Sequence, residues 1–531
     1  MNFKPLARWA CRLGIFSGFI GLSACSQVGL FESSAFLSSG LRGRSWGEAI
    51  TLEPRPAIPS TTDPRTFSRF DAGSDGTNLY VLASFYESDS GLFEYEGLRY
   101  QSGEGFLSTG EGSFHDASAV NEAGIPWLIE DLLGGRLLAV LGDRISEEQF
   151  STVLLQGGQW ETPIAATITD SILPLPSADS TLVSFHRSPV YGSFDGTGRA
   201  HLAWGGDPLG LYVRDGSGTN AFDTDEQDQT LTSVASSGER AGDSRILSDG
   251  AEWVCAFFRD SSSIGVVTSL FSSCFSGLKS DLQTTELLAG VAEFDAATDL
   301  NGNFLVLARD EESSDLYSFV LQSIDGDLVV DAEVSFVFDG LLNGRFSLSS
   351  ASPDEANGEL LPAFRIAAVG AGKFVAVWVA HAASLASSSQ TVSRIYSATY
   401  DLDTSSWSDP EWVGEWEDSF THHLALSGLS LKGRLNGNAV LALNWAEEDG
   451  ATVADDIRKT LVSRFAWEEG WMPIQVLGDG CGRFILSGVT NTRECAQSPA
   501  VALSDSGDAL VVFSDQDDGG LFRLKASAFE K

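Results

Sequence analysis

The sequence predicts an all-β protein built from a repeated unit of four antiparallel strands, and three observations predict it. Short runs of apolar, β-branched and aromatic residues alternate with turns that combine Gly with Asp or Asn, the residues that tolerate the positive φ of a tight hairpin. That hairpin recurs along the chain. A Trp-led extended segment then closes several copies: "QWETPIAAT" from Gln159, "SWSDPEWVG" from Ser406 and "GWMPIQVLG" from Gly470. The composition permits a large folded body, since 43% of the 531 residues are hydrophobic and 10% aromatic.

Taken in order, the hairpin copies are "FDAGSDGTNLYVLASFY" from Phe70, "FHDASAVNEAGIPWLIE" from Phe114, "YGSFDGTGRAHLAW" from Tyr191 and "RILSDGAEWVCAFF" from Arg245. They continue with "FDAATDLNGNFLVLA" from Phe294, "FRIAAVGAGKFVAVW" from Phe364, "LSLKGRLNGNAVLALNW" from Leu429 and "PAVALSDSGDALVVF" from Pro499. The better copies add a third strand, "SRIYSATYD" from Ser393 or "TLVSRFAWE" from Thr460, before the Trp-led fourth. Four antiparallel strands repeated with loops of unequal length are the pattern of a β-propeller. The count predicts eight blades, or seven if the weak second or fourth copy is not a blade.

The eighth copy stops after a third strand, "GLFRLKASAFEK", whereas "SWGEAITLE" from Ser45 reads as a fourth strand with nothing before it. Residues 45–531 are therefore expected to form one propeller whose ring is closed by the N-terminal strand completing the C-terminal blade, which pairs two otherwise exposed edges. Tryptophan placement follows the same scheme. Trp127, Trp204, Trp253, Trp378 and Trp445 are assigned to the ends of second strands, and Trp46, Trp160, Trp407 and Trp471 to the starts of fourth strands. Aromatics in register between blades are packing residues. Trp412 and Trp416 are off that register and are the better candidates for contact with a ligand.

The first residues carry Lys4, Arg8 and Arg12, then an apolar run from Leu13 to Leu22, then Ser23-Ala24-Cys25. This has the form of a secretory signal, too short to be a stable membrane span. "LSAC" resembles the lipobox of bacterial lipoproteins. That resemblance implies a signal peptide at 1–24, a lipidated Cys25 and attachment to a membrane, with Ser26 rather than Asp favouring the outer membrane. Residues 25–44 then form a Ser/Gly-rich tether with a reach of about 60 Å when extended. "LNGNAVLALNWAEEDG" from Leu435 is similar to bacterial propeller repeats that carry "GNA" before an apolar strand ending in Trp. The pattern departs from the Asp-box of sialidases, because in "SFDGTGRAHLAW" the Trp lies too far along.

Export agrees with cysteine usage. Cys255, Cys274, Cys481 and Cys495 form two local pairs, for which 255–274 and 481–495 is the simplest disulfide connectivity; zinc has no support from spacing or neighbouring His. A net charge of −40 from 73 acidic and 33 basic residues excludes nucleic acid and anionic surfaces as natural partners. None of the 6 His lies in a metal-ligand spacing, and no nucleophile motif is present.

In such a blade the loops after strands two and four emerge on one face. The loops after strand two are acidic, with Asp310, Glu311 and Glu312, then Glu447, Glu448 and Asp449, then Asp515, Asp517 and Asp518 as the candidate binding residues. Glu130 and Asp131 are assigned to the same loop series. Ca2+ is a candidate ligand for these carboxylates, although no loop follows the full D-x-D-x-D-G order; Asp299 to Asn303 comes nearest and reads as a turn. No other cofactor is evident. The leading expectation is a lipid-anchored, non-enzymatic scaffold of the bacterial envelope that binds a protein or glycan through this acidic face. An envelope enzyme acting on polysaccharide and a structural component of an envelope complex are the alternatives.

Overall fold

An Asp at the head of the turn sets the register of the first two strands in several repeats. The Asp75 carboxylate accepts the N–H groups of Thr77 and Asn78, and Asp195, Asp249 and Asp299 each accept two N–H groups of their own turns in the same way. Such a side-chain cap folds a short polar loop onto itself and leaves the flanking apolar runs paired. Gly76 and Gly302 complete two of these turns at φ 91° and 86°, where a side chain would be strained.

The computed structural model describes residues 44–530 apart from 53–69, 88–91, 102–104, 108–113, 121–125, 143–148, 162–163, 168–189, 205–209, 215–243, 252, 262–267, 277–282, 311–314, 325–326, 339–346, 349–351, 354–359, 362–363, 384–390, 418–426, 448–456, 479–483, 487–488, 492–498 and 517–521. Every regular element among the described residues is a β-strand, and no helix there is long and apolar enough to cross a membrane. Eight of the antiparallel sheets are numbered here in chain order by the first strand of their opening hairpin. Sheet one opens with Phe70–Ser74, sheet two with Trp127–Asp131, sheet three with Val190–Phe194 and sheet four with Ser244–Ser248. Sheets five to eight open with Val291–Thr298, Phe364–Gly370, Ser427–Arg434 and Ala500–Leu503.

Each opening strand packs beside the opening strand of the next sheet, and Ala500–Leu503 packs beside Phe70–Ser74. The opening strands are thus the inner ones, with the later strands of each sheet running outward, which is a β-propeller architecture. The apolar core lies between sheets rather than within any one. Phe70, Val81 and Leu98 of sheet one meet Ala502, Leu510 and Val512 of sheet eight, and Leu305 and Leu307 of sheet five meet Phe364, Ala376 and Trp378 of sheet six. The turns of neighbouring sheets also bond: Gly302 N–H to Asp249 O, Gly372 N–H to the Asp299 carboxylate, Gly437 N–H to Val369 O, and Asp505 N–H to Gly76 O.

The Trp-led segments take the predicted outer place, but as two pieces. In sheets two, six and seven a two-residue strand (Gln159–Trp160, Ser406–Trp407, Gly470–Trp471) pairs with the third strand, the chain breaks near a Pro, and pairing resumes further along. Sheet eight has the same arrangement with residues distant in sequence. Ser45–Trp46 and then Ile50–Thr51 pair with Phe522–Glu530, placing Trp46 opposite Phe529 and Ile50 opposite Ala526. Trp46 is 8% exposed and packs in a cluster with Val440 and Val462 of sheet seven and Val511 of sheet eight.

Two sequence assignments are corrected. Phe114–Val120 pairs with the third strand of sheet one, so sheet two begins at Trp127 and not at Phe114. The reason is the turn: Asp131 accepts the N–H groups of Leu133 and Gly134 and the Arg136 side chain, closing the hairpin there. Trp127 therefore opens an inner strand, and Glu130 and Asp131 belong to that strand rather than to a loop after strand two. Trp253 likewise opens its second strand, Trp253–Ser261, instead of ending it. Cys255 and Cys274 face each other in register across the second and third strands of sheet four and are joined by a buried disulfide. Cys25, Cys481 and Cys495 lie outside the described residues.

Candidate functional site at the inner strands

Three inner strands carry a buried Phe followed by a charged residue: Phe70-Asp71, Phe294-Asp295 and Phe364-Arg365. The Phe enters the core between sheets, so the alternation of the strand turns the next side chain towards the neighbouring inner strands. Asp71 accepts the N–H groups of Ala72 at 2.8 Å and of Leu128, in sheet two, at 2.7 Å. Asp295 does the same one half of the molecule away, accepting Ile366 N–H of sheet six at 3.0 Å and the Arg245 Nε of sheet four at 2.8 Å. Each carboxylate therefore staples its sheet to the next.

Arg365 completes the second cluster. Its Nε donates to Leu429 O of sheet seven at 3.1 Å, its Nη1 lies 3.7 Å from Asp295 Oδ1, and its side chain keeps 22% of its surface exposed. Arg245, nearly buried, lies with its guanidinium carbon 3.8 Å from the centre of the Tyr191 ring in sheet three. One Asp, two Arg and a Tyr from four successive sheets thus meet at the inner strands, where the guanidinium groups are held in place by hydrogen bonding and ring packing.

The first cluster is closed more tightly. Lys432 Nζ donates to Glu130 Oε1 at 2.9 Å and to Ala72 O at 2.6 Å, and Arg434 Nη2 donates to Glu130 Oε2 at 3.0 Å and to Ser74 O at 3.1 Å. The Arg434 Nε bonds Leu503 O. Two cations of sheet seven therefore run past the small inner residues of sheet eight to reach sheets one and two. Burial pushes the Asp71 carboxyl above the ordinary Asp range, while Lys432 and the two N–H groups oppose the rise. Burial acts on Asp299 in the same direction. Asp195 is held well down, to about 2, by its hydrogen bonds to His201 and Thr197, which outweigh its burial.

Of the acidic residues expected to bind, Asp310, Glu447 and Asp515 lie at or near the ends of second strands (Asn303–Asp310, Asn438–Glu447, Ala509–Gln516). Antiparallel pairing puts those ends level with the starts of the inner strands, since Val291 lies opposite Asp310 and Asp295 opposite Leu307. Glu311, Glu312, Glu448, Asp449, Asp517 and Asp518 lie outside the described residues. Among the described residues no three His, Cys, Asp or Glu converge as a metal site would require. Asp299 spends its oxygens on Asn301, Asn303 and Gly372, as expected for a turn. Trp412, off register, is 57% exposed with the Arg394 guanidinium carbon 3.5 Å from its ring centre.

Sequence reasoning missed Asp71, Asp295, Arg245 and Arg365. The signal was present: Asp71, Tyr191, Arg245 and Asp295 each stand four residues before the turn Asp of their own repeat.

No family model matches the chain, and no curated protein matches it either. Among solved structures it is similar to the β-propeller domain of the trilobed protease of Pyrococcus furiosus, which has an open velcro topology, at 9% identity and a TM-score of 0.39, covering 78% of this chain and 97% of that one. It is also similar to the fucose-specific lectin of Aleuria aurantia (11% identity, TM-score 0.30, covering 78% and 97%) and to an oligogalacturonate lyase solved with manganese (10% identity, TM-score 0.35, covering 76% and 96%).

Proposed function

We propose that the protein is a lipid-anchored scaffold of the bacterial envelope: an eight-bladed propeller, closed by its N-terminal strand, that binds a protein or glycan through the end where the acidic loops and the starts of the inner strands come together. The observation that carries the scaffold reading is how the inner carboxylates are used. Asp71 and Asp295 accept backbone N–H groups of the next sheet, and Glu130 accepts Lys432 and Arg434. Carboxylates spent on joining sheets make a rigid frame, and a rigid frame that displays variable loops suits recognition. The unbroken order of inner-strand neighbours, with Ala500–Leu503 beside Phe70–Ser74, supports eight blades and closure. The pairing of residues 45–51 with Phe522–Glu530 supports a tether that enters at the outer strand of the last blade.

The test is capture from envelope extract by the full lipidated chain, alongside a variant with the acids at 310–312, 447–449, 515, 517 and 518 replaced by their amides. Loss of a specific captured partner in the variant is expected, and undiminished capture would remove the face assignment. Separately, Cys25→Ala should move the protein from the membrane fraction to the soluble fraction.

A further inference from the structure

We infer that the outer rim of sheets six, seven and eight rests on a bilayer of zwitterionic lipid, with Trp412, Val476 and Ile50 as the contacting side chains. The inference rests on the lipid anchor proposed above and adds a contact made by the folded body itself. Trp412, Val476 and Ile50 are 57%, 50% and 45% exposed, and each lies on the outermost strand of its sheet (Glu411–Glu417, Gln475–Gly478, Ile50–Thr51). Two other large apolar side chains among the described residues are comparably open, and both sit elsewhere. Val329 lies opposite Gln322, whose amide bonds Asn303 beside the Asp299 turn, at the far end of sheet five, and Leu133 belongs to the Asp131 turn.

Each of the three ends an apolar row that crosses its sheet from the inside outwards. In sheet six the row runs Phe364, Trp378, Tyr396, Trp412, each opposite the next. In sheet seven Leu443 and Leu461 lead to Val476, and in sheet eight Ala500, Val512 and Ala526 lead to Ile50. The inner members are buried in the clusters between sheets, whereas the outermost stays open. All three rows cross at one level. Phe364 and Ala500 are the first residues of their inner strands, and Leu443 is next to Asn444, which lies opposite Ser427, the first residue of its own. Three neighbouring sheets thus present a large apolar side chain at the same height on the rim, unlike exposed residues scattered singly.

The chain that leaves this rim points to the occupant. Arg44 pairs with Asp508 and runs directly into Ser45–Trp46 and Ile50–Thr51 on the outer edge of sheet eight. Only residues 26–43 separate that edge from Cys25, a reach of about 60 Å at full extension. They include the apolar pairs Leu30-Phe31 and Phe36-Leu37, side chains that favour the boundary between headgroups and acyl chains over water. A tether of this length keeps the rim beside the bilayer at an effective concentration of roughly millimolar order, so a contact too weak to recruit free protein is sufficient. Trp suits such a place, because its ring is apolar and its N–H can stay wet. Charge selects the lipid. With a net charge of −40, and with Glu447 and Asp515 at the same end of sheets seven and eight, the protein is repelled by anionic headgroups and not by neutral ones.

The test places the full lipidated protein in phosphatidylcholine vesicles, with and without brominated acyl chains, and reads Trp fluorescence. Brominated lipid is expected to quench part of the emission. Trp412→Phe should abolish that part and Ile50→Ser combined with Val476→Ser should reduce it, with melting temperatures unchanged in both variants, and vesicles of brominated phosphatidylglycerol should quench less. No quenching in the parent, quenching undiminished in either variant, or stronger quenching by the anionic lipid would overturn the inference. Concentration-dependent pairing of the Cys25→Ala chain that disappears in Trp412→Phe would overturn it too, by assigning the rim to a second copy. Mass spectrometry of the mature N-terminus separates the two readings. Acyl chains on Cys25 without quenching would leave the anchor standing and remove the rim contact, whereas an N-terminus without acyl chains would remove both.

Discussion

At the scale of single residues, the molecule is held by charged side chains working across sheets. Asp295 sits between Arg245 and Arg365, with side chains 7%, 9% and 22% exposed. Removing it leaves like charges facing each other in a poorly solvated place. Asp295→Ala should therefore cost about 3–5 kcal/mol in urea unfolding, and Asp295→Asn less, because the amide oxygen can still accept Ile366 N–H. Acidity should act in the opposite sense on Asp71 and Asp299. Their folded pKa values are raised by burial, so as pH falls the folded state takes up these protons before the unfolded chain does, and stability rises until the pH reaches the unfolded Asp range. Asp195, held down to about 2, contributes stability above the unfolded Asp range that is lost as pH falls from about 4 towards 2. Thermal melts between pH 8 and 2 should show a maximum on the acid side of neutrality. Asp71→Asn combined with Asp299→Asn should flatten the rise and leave the acid limb in place.

At the scale of elements, the Trp-led outer strand is a recurring clasp. Trp46, Trp160, Trp407 and Trp471 lie opposite Phe529, Leu155, Tyr400 and Phe465 in the third strands, and the Trp407 Nε1 donates across to Ser318 Oγ of sheet five. Trp46 is the most buried of the four. Trp46→Ala should cost about 3–5 kcal/mol, the range for removing a buried aromatic, and the half-buried Trp407→Ala should cost less. In sheet four the Cys255–Cys274 bridge spans 19 residues across a hairpin packed against sheet five. Replacing both Cys by Ala should lower stability by about 2–4 kcal/mol, and the parent protein should show the same loss under a strong reductant. A variant that melts unchanged under both conditions would mean the bridge adds nothing beyond its packing.

At the scale of the whole molecule, the last sheet draws its fourth strand from the other end of the sequence. Gly47 N–H bonds Ala528 O, Leu52 N–H bonds Leu524 O, Ser527 Oγ donates to Gly47 O, and Arg44 pairs with Asp508 at 3.0 Å. On the inner side, Lys432 and Arg434 reach past the same sheet to Glu130. Sheet eight is thus fastened at both its outer and its inner edge. Deleting residues 45–53 should expose the edge of Phe522–Glu530, lower the melting temperature of the entire body and promote association of copies through that edge. Combining the deletion with Glu130→Ala should cost more than either change alone. A clipped protein with an unchanged melt would mean that the inner fastening suffices.

Much of this architecture was written in local pattern. Alternating apolar runs, Gly- and Asp-containing turns and Trp-led segments specify strands and hairpins because those choices depend on residues a few positions apart. The assignment of Ser45–Trp46 to the last sheet followed from the same repeat. Local pattern failed where two turns competed, and sheet two began at Trp127 because Asp131 caps its turn with contacts no spacing announces. The site failed for a different reason. Lys432 and Ala72 are 360 positions apart, and Ile366 N–H finds the Asp295 carboxylate 71 positions away. Charged residues at the starts of inner strands look like any other surface charges until the sheets are set side by side. The sequence by itself determined the strands, the repeat and the strand that pairs with the last sheet, since these rest on short-range hydrogen bonding and periodicity. Only the tertiary structure decided which cations and carboxylates meet at the inner strands, because that depends on which sheets become neighbours.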